Sequence, residues 1–591
     1  MTALADTDRP RRQRLMAGAV GAGARRIGLG LLVAVVGGAA WSARAAAPTL
    51  EQFFPVAVQA GTTTTVNAVG KFAPWPAKVW TDSPGLSFRP GEKAGELSVE
   101  VGADVPAGPH LVRLYNDTGA SAPRFIVVTA EPPGAEVEPN DEFSRPQLIE
   151  RLPVSLNGRL NKGGDVDSFA VQLEAGQTLL ASVDAYVLAS PVDAVIRVVD
   201  TRGLELALNH DNGRNLDPLL TWTAPAAGTY VVQVFGFAHP ATADVRFTGS
   251  DACVYRLHLS KGPQVRYTLP LGLERTKTAT LRAFGWNLGT ENGREFTVDG
   301  AVFPADLAQA SWRRPEFENA VSIPLGEGTE WLEETWLARP KDAPAPCPPF
   351  AVSGMIARIG EVDRFAFAAT KGESLVIAVQ SAALGFPLDA WLAIQTAAGK
   401  ERVRGDDSTS ADPLVEWTAP ESGTFYAVVG SVLQRAGDDH RYRLSVRAAR
   451  PRFQAVVAEA GVTVEPGKTA KLKLTARRSE GFKTKLTCTV TGLPAGLTVA
   501  PVELGETAKE ITLELAAAAD AAPFSGPVRI HFQADTDPAG AVYPAGHELV
   551  TTTLNNGVPQ GFRDLVITST PDVWLTVLSA PKEKEKPADE K

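Results

Sequence analysis

The residues best suited to chemistry lie in one acidic stretch of this chain. The stretch, "GAEVEPNDEFSRPQ", carries Glu136, Glu138, Asn140, Asp141 and Glu142. Calcium binds about six to eight hard oxygens in a forgiving geometry. Oxygens at alternating positions of an extended segment point to one side. The stretch is therefore either a set of oxygen ligands for a cation or an acidic linker dissolved in water.

Two later loops are also rich in aspartate: "HDNGRNLD" at 210–217 and "GDDSTSAD" at 405–412. The short side chains of Asp and Asn bond to nearby backbone groups and favour Asx turns. We expect turns in both loops, with a second cation site as the alternative.

Two tryptophan pairs form another candidate group: Trp75 with Trp80, and Trp331 with Trp336. Exposed rings could form platforms for sugar or peptide. Buried rings would instead fill the core or the edges of a β-sandwich, which is the use we expect here.

The chain lacks the motifs of the common hydrolases. It has no Gly-x-Ser-x-Gly, no His-Glu-x-x-His and no subtilase-like Gly-Thr-Ser sequence. A catalytic triad needs histidine and nucleophile within hydrogen-bond reach, but the seven histidines are scattered along the chain. They are His110, His210, His239, His258, His440, His531 and His547. The sequence therefore predicts a protein that is not an enzyme.

Bulk composition excludes several classes of protein. A chain of 591 residues is too long for one core, so several domains are expected. The net charge of -9 argues against binding nucleic acid through its phosphates. The 53 Gly and 44 Pro predict many turns and few long helices. The widely spaced Cys253, Cys347 and Cys488 form no zinc motif, and they allow either one disulfide or three thiols.

The N-terminal residues 1–45 have the pattern of a secretory signal peptide. Arginines precede the apolar run "IGLGLLVAVVGGAA", and "ARA" at 43–45 offers small residues for cleavage. An uncleaved anchor and a twin-arginine signal are the alternatives. No second apolar run follows, so the mature chain should have no membrane span and be secreted, periplasmic or part of the cell envelope. The charged tail, 581–591, should be disordered.

One domain is present twice. "DPLLTWTAPAAGTYVVQV" from Asp217 matches "DPLVEWTAPESGTFYAVV" from Asp412 at ten of eighteen positions, 195 residues later. Upstream, "DVDSFAVQLEAGQTLLASV" corresponds to "EVDRFAFAATKGESLVIAV". Apolar residues alternate with a period of two between turns, which is typical of an antiparallel β-sandwich.

The same period continues through the rest of the chain. The fold class is therefore all-β, a multidomain chain of β-sandwiches. Residues 48–130, 263–340 and 452–580 resemble immunoglobulin-like domains, and "GWNL" in the second of these is similar to the transcription-factor-immunoglobulin (TIG) type. We expect these sandwiches to form rods that hold binding surfaces away from a cell or keep a partner in place.

The motifs "EVEPNDEFSRPQLI", "GGDVDSFAVQL" and "TAPAAGTYVVQV" resemble those of the bacterial pre-peptidase C-terminal (PPC) domain. The resemblance covers residues 136–262 and, in a degenerate form, 346–448. It implies jelly-roll-like sandwiches, which accompany secreted peptidases and often occur in large secreted proteins without a peptidase.

The family resemblance also implies a set of calcium ligands. In collagenase members, the acidic segment binds calcium together with aspartates of the next loop. The matching positions here are Glu136, Glu138, Asn140, Asp141, Asp165 and Asp167. The second copy keeps Asp363 but has "APAPCPPFAVSG" in place of the acidic segment. Asp363 alone cannot form the site, so we expect calcium in the first copy only.

These patterns predict an exported, non-catalytic binding or scaffold protein. Its partner would be an extracytoplasmic protein or polysaccharide. Two alternatives remain: an accessory component of a secreted peptidase system, and a structural protein of the cell envelope.

Overall fold

The prediction of an all-β chain of sandwiches is confirmed. The computed structural model describes residues 46–212, 215–290, 293–304, 307–407, 410–534, 540–551 and 565–580. Within them nearly every regular element is a strand, and the strands form five sandwiches. The expected signal peptide, 1–45, and the expected tail, 581–591, lie outside the described residues. The described helices are all too short or too polar to cross a membrane.

The first sandwich contains β1 (Thr49–Phe54), β2 (Ala57–Gln59), β3 (Thr63–Lys71), β4 (Lys78–Thr81), β5 (Leu86–Pro90), β6 (Glu96–Val101), β7 (Gly108–Asn116), β8 (Gly119–Ala120) and β9 (Arg124–Thr129). One sheet has the order β1-β3-β6-β5, and the other has β2-β9-β7-β4 with β8 beside β7. Alternate residues point inward, so Phe53, Val66 and Ile126 are buried between the two sheets.

The second sandwich carries the acidic stretch. Its strands are β10 (Gly134–Ala135), β11 (Gln147–Leu148), β12 (Val154–Arg159), β13 (Asp167–Leu173), β14 (Thr178–Asp184), β15 (Val192–Val199), β16 (Glu205–Asn209), β17 (Leu219–Thr223), β18 (Gly228–Ala238) and β19 (Val254–Ser260). The sheets have the orders β10-β12-β19-β14-β17 and β11-β13-β18-β15-β16. A 3-10 turn, Tyr186–Leu188, follows β14.

The third sandwich is smaller. It contains β20 (Gln264–Leu269), β21 (Leu273–Glu274), β22 (Thr278–Trp286), β23 (Arg294–Asp299), β24 (Gln309–Trp312) and β25 (Val321–Gly326), with a 3-10 turn at Gly300–Val302. Its sheets have the orders β20-β22-β23 and β21-β25-β24.

The fourth sandwich repeats the plan of the second. It contains β26 (Thr329–Leu332), α1 (Glu333–Leu337), β27 (Phe350–Met355), β28 (Val362–Ala369), β29 (Ser374–Gln380), a 3-10 turn (Ala382–Leu384), β30 (Ala390–Thr396), β31 (Glu401–Gly405), β32 (Leu414–Thr418), β33 (Gly423–Ser431) and β34 (Arg441–Ala448). The orders β26-β27-β34-β29-β32 and β28-β33-β30-β31 match those of the second sandwich, except that no described strand corresponds to β11.

The start of the fourth sandwich differs from the sequence-based boundary. Sequence reasoning placed residues up to 340 in the preceding domain and began this one at 346. In the structure β26 pairs with β27, and Trp336 of α1 is buried with its ring centroid 5.0 Å from that of Phe350. Because β26 and α1 do not resemble the start of the first copy in sequence, the repeat could not reveal them.

The fifth sandwich contains β35 (Arg452–Val457), β36 (Gly461–Val464), β37 (Thr469–Ser479), β38 (Leu486–Thr491), β39 (Leu497–Val499), β40 (Val502–Leu504), β41 (Glu510–Ala517), β42 (Phe524–Gln533), β43 (Tyr543–Thr551), β44 (Leu565–Thr570) and β45 (Val573–Val577). Its main path has the order β36-β45-β42-β43-β35-β37-β41-β39. Cys253 and Cys488 are buried, Cys347 is exposed, and all three are free thiols.

Consecutive sandwiches are joined by specific polar contacts. The side chain of Asn157 bonds to both the N–H (2.8 Å) and the C=O (3.1 Å) of Ala57 in the first sandwich. The Asn287 amide of the third sandwich donates to the carbonyl of Thr178 at 3.0 Å. Between the third and fourth, Leu271 N–H donates to Ser353 Oγ at 2.8 Å.

The fifth sandwich contacts both the fourth and the first. Arg447 makes a two-pronged pair with Glu480 at 2.6 and 2.7 Å. Arg113 of the first sandwich donates to the carbonyl of Ala460 at 3.1 Å. The ring of Trp574 lies 4.8 Å from that of Tyr115, centroid to centroid. From the sequence we expected the sandwiches to form a rod. In a simple rod the first and last sandwiches would not touch, so this contact differs from that expectation.

Candidate metal centre

The acidic stretch is irregular rather than a strand, contrary to the alternation assumed from sequence. Gly134 and Ala135 pair with β12 and Glu136 N–H donates to the Asn157 carbonyl at 3.0 Å, but no strand follows, because Pro139 has no N–H to donate. Glu136 is nevertheless fixed. Its two carboxylate oxygens accept from the backbone N–H of Arg159, each at 2.9 Å.

Asp167 opens β13 as a fully buried carboxylate. The hydroxyl of Tyr255, on β19, donates to Asp167 Oδ2 at 2.5 Å and lies 3.2 Å from Glu136 Oε2. Burial, followed by the negative charge of Glu136, raises the pKa of Asp167 to about 9. Burial also raises the pKa of Glu136 to about 7. At neutral pH this half of the cluster therefore holds a proton.

The other half of the cluster contains three carboxylates, Glu138, Asp141 and Asp165, whose oxygens lie within 4.8 Å of one another. Asp165 is fully buried, and its Oδ2 accepts from Asn161 N–H at 2.6 Å. Its Oδ1 is also buried but has no hydrogen-bond partner among the described residues, and the same holds for Asp141 Oδ1. Two buried carboxylate oxygens are therefore left without a donor, which is costly unless a cation satisfies them.

Lys162 is the local counter-charge. Its Nζ lies 2.7 Å from Asp141 Oδ2 and 3.9 Å from Asp165 Oδ1. One exposed ammonium lies near three carboxylates, Glu138, Asp141 and Asp165, so their negative charge is only partly balanced.

Asn140 links the two halves. Its side chain is only 1% exposed, and its terminal amide lies 3.1 Å from Glu138 Oε2 and 3.3 Å from Asp167 Oδ1. In one orientation the NH2 group donates to both carboxylates. In the other, the carbonyl oxygen faces both, an arrangement that needs a cation between the oxygens.

The structure thus brings all six sequence-predicted residues into one contiguous cluster. Their donors are oxygens only, from carboxylates and one amide, as a calcium site requires and a structural zinc site does not. The residues fit calcium, and their role as ligands stays a prediction. Sequence reasoning missed Tyr255, Asn161 and Lys162. A signal existed for Tyr255, since the triplet Tyr-Arg-Leu occurs at the equivalent place in both copies.

The second copy retains half of this arrangement. Glu333 accepts from Met355 N–H at 3.1 Å, and Tyr442 donates to Asp363 Oδ2 at 2.5 Å. The assumption that Asp363 stands alone there is therefore wrong. The residues after Glu333 form α1, which carries the buried Trp336 and no counterparts of Asn140 and Asp141. This geometry does not test the prediction that the second copy binds no calcium.

Each of the two aspartate-rich loops ends in an aspartate that accepts hydrogen bonds from the backbone of a neighbouring turn. Asp217 accepts from the N–H groups of Ala185 and Tyr186, both at 2.7 Å, and of Val187 at 3.1 Å. In the second copy, Asp412 binds the start of the corresponding 3-10 turn through three N–H groups at 2.9–3.0 Å. Both aspartates therefore hold a turn.

One serine–histidine pair occurs in the described chain, Ser155 Oγ with His258 Nδ1 at 3.0 Å. Burial and the charge of Arg256 lower the pKa of His258 to about 4. Its other nitrogen faces the amide of Gln264 at 3.5 Å, where a triad would place a carboxylate. The pair is therefore a poor general base.

The tryptophans proposed as platforms are engaged in packing. Trp75 donates to the carbonyl of Gly91 at 2.9 Å, and Trp80 contacts Trp574 with ring centroids 6.1 Å apart. Trp331 and Trp336 contact each other edge to face.

Comparison with known proteins yields little. Neither a family model nor a curated protein matches the chain. Among solved structures, it is similar to Escherichia coli alpha-2-macroglobulin activated by porcine elastase, at 10% identity over 89% of this chain and 53% of that chain, with a TM-score of 0.13.

Two structures of the surface-layer protein SbsC also match. For its domains 1-6, identity is 12%, coverage is 68% of this chain and 54% of that chain, and the TM-score is 0.13. For rSbsC(31-844), identity is 12%, coverage is 85% of this chain and 54% of that chain, and the TM-score is 0.14. The chain spans about half the length of these solved structures. At such TM-scores the likeness carries no argument.

Proposed function

We propose that this chain is an exported, non-catalytic binding or scaffold protein that engages an extracytoplasmic polymer or protein, with a calcium ion in its second sandwich. One observation carries the proposal. Asp165 is fully buried and has an oxygen without a hydrogen-bond partner, in a cluster with Glu138 and Asp141. The signal-like N-terminus and the PPC-like motifs support export.

The position of the cluster explains what the ion would do for a binding protein. Glu136 is bonded to the backbone of Arg159 at the end of β12. The guanidinium of Arg159 lies over the ring of Phe54 in the first sandwich, 4.7 Å from its centroid. Asn157, on the same strand, bonds to Ala57. An ion that fixes Glu136 would therefore stiffen the joint between the first and second sandwiches.

Calcium binding is tested on the full chain with radioactive calcium in equilibrium dialysis. We expect one ion per chain, and we expect Asp165→Asn to lose it because that substitution removes a buried anionic ligand. Glu361→Gln is the matched control, since Glu361 accepts from Ala357 and Arg358 N–H in the corresponding turn of the second copy. Equal binding by parent and Asp165→Asn, or loss in Glu361→Gln alone, would contradict the assignment.

The binding function is tested by immobilising the full chain and passing soluble glycans, collagen and solubilised envelope over it. We expect retention of at least one polymer or protein that leaves the column chemically unchanged. Cleavage of any retained substrate by the pure chain would contradict the non-catalytic assignment. Retention of an active protease alone would favour the accessory peptidase alternative, and enrichment with intact envelope would favour the structural one.

A further inference from the structure

We infer that a polar cleft where the second, third and fourth sandwiches meet binds a neutral saccharide, an inference that rests on the proposed binding function and gives it a site. The cleft has a volume of about 450 Å³. Ligand sites commonly enclose about 300–1,000 Å³ and lie between domains. The second sandwich contributes Asn209 and Asp211 to its lining, the third contributes Trp286 and Arg266, and the fourth contributes Gly385.

Trp286 contributes an aromatic side chain to the lining of the cleft. It ends β22 and is partly exposed. The next residue, Asn287, has a left-handed backbone with φ 56°. Its amide donates to the carbonyls of Thr178 at 3.0 Å and Gly262 at 3.3 Å. These bonds attach the end of β22 to the second sandwich.

Asp211 contributes a hydrogen-bond acceptor to the lining of the cleft. Its Oδ2 lies 3.1 Å from Nδ1 of His210, whereas its Oδ1 is buried without a partner among the described residues. Burial raises the pKa of this carboxyl. The side chain as a whole is 25% exposed, so its accessible part can accept from a ligand hydroxyl. Nearby, Asn209 accepts from Leu219 N–H at 3.0 Å, which leaves its NH2 group as a donor.

The charges around the cleft favour a neutral ligand. Arg266 is paired with Asp439 of the fourth sandwich at 2.8 Å, and its guanidinium stacks over Phe386. His210 lies beside Asp211, and the nearby carboxylates Asp193 and Asp211 leave no excess of positive charge to attract an anionic ligand. The remaining polar lining consists of amides and hydroxyls, among them Asn319, Ser322 and Thr221. A sugar ring presents a C–H face that can stack on indole and hydroxyl groups that both donate and accept, so it suits this combination.

The test is saturation-transfer NMR and calorimetric titration of the full chain with short oligomers of glucose and of N-acetylglucosamine. We expect binding of at least one of the two, weakened at least tenfold by Trp286→Ala and several-fold by Asp211→Asn. Trp286→Phe should retain much of the affinity because it keeps an aromatic face.

Two matched controls separate the cleft from general damage. Trp391→Ala removes a partly exposed tryptophan that does not line the cleft, and Asp406→Asn changes the corresponding aspartate loop of the second copy. Both should bind as the parent does. Unchanged affinity in Trp286→Ala, or no binding of either oligomer by the parent, overturns the inference. If the full chain retains a polymer on the column but binds neither oligomer, the saccharide site is contradicted and the proposed binding function is not.

Discussion

Each of the two similar sandwiches groups a partly buried glutamate with a buried aspartate and a buried tyrosine. In the second sandwich the group is Glu136, Asp167 and Tyr255. In the fourth it is Glu333, Asp363 and Tyr442. In both, the glutamate accepts a backbone N–H from the end of the neighbouring strand and the tyrosine donates to the aspartate. The first group adjoins three further carboxylates, Glu138, Asp141 and Asp165, whereas the second is influenced by Glu361.

The group in the fourth sandwich should make stability depend on pH. Burial and then the charge of Asp363 raise the pKa of Glu333 from 4.5 to about 7, and burial raises that of Asp363 to about 6. Glu361 also raises both, and Arg358 lies 3.9 Å from Glu361. The folded state thus binds protons that the unfolded chain releases near pH 4. This contribution is present in full below that pH and is lost as the pH rises through 6 and 7.

We therefore expect Glu333→Gln to remove much of this pH dependence. Urea unfolding should show the variant close to the parent at pH 5 and more stable than it at pH 8 by about 1–2 kcal/mol, after allowance for solvent screening. Glu334→Gln, at an exposed neighbour, is the control and should follow the parent. A Glu333→Gln curve parallel to the parent at every pH would show that no proton is held there.

Whether a residue of the two groups could be predicted from the sequence depends on where it lies in the chain. A motif of closely spaced acids marks Glu136 to Asp141 because these residues are neighbours in the sequence. Tyr255 reaches the cluster from a distant strand, and Lys162 belongs to a turn with no distinctive pattern. Glu333 was missed because it precedes the part of the repeat that is similar in sequence.

At the level of elements, a tyrosine lies over a glycine in each repeat. A Cβ on Gly158 would be 2.1 Å from the Tyr255 ring, and one on Gly354 would be 2.5 Å from the Tyr442 ring. The rings cannot retreat without giving up their hydrogen bonds to aspartate. These glycines therefore set the close approach of neighbouring strands.

Gly354→Ala and Gly158→Ala should each destabilise the chain by about 1–3 kcal/mol through overpacking. The matched controls are Gly423→Ala and Gly228→Ala, where a Cβ would meet nothing within 4 Å. Denaturant unfolding of the four variants measures the difference. Equal stability of test and control variants would refute the role given to the tyrosine rings.

The period of two predicted the sandwiches because strands half buried between two sheets must alternate. It could not place β26, which is only four residues long, or α1, which is five residues long. The acidic stretch does not form the extended strand that the alternation suggested, because its backbone is fixed by side-chain contacts.

At the level of the whole molecule, the contact between first and fifth sandwiches was not visible in the sequence. Such contacts depend on which surfaces meet, and periodicity reports only which residues face inward. Trp574 is central to this contact, since its ring lies near Trp80 and Tyr115, and the guanidinium carbon of Arg113 is 5.9 Å from its centroid.

Trp80→Ala should weaken the contact by about 1–3 kcal/mol. Differential scanning calorimetry should show the first sandwich unfolding at lower temperature, separated from the fifth. Trp75→Ala is the control, because Trp75 bonds within the first sandwich to Gly91. If Trp80→Ala leaves the unfolding profile unchanged, the two sandwiches do not stabilise each other.

The most direct test of the account is amide hydrogen exchange of the full chain with calcium and with a chelator. We predict that calcium slows exchange in residues 136–168 and along β12 at the joint with the first sandwich, and leaves residues 329–363 of the fourth unchanged. Equal protection of both segments, or no protection of either, would contradict a single calcium ion that stabilises the second sandwich and its joint with the first.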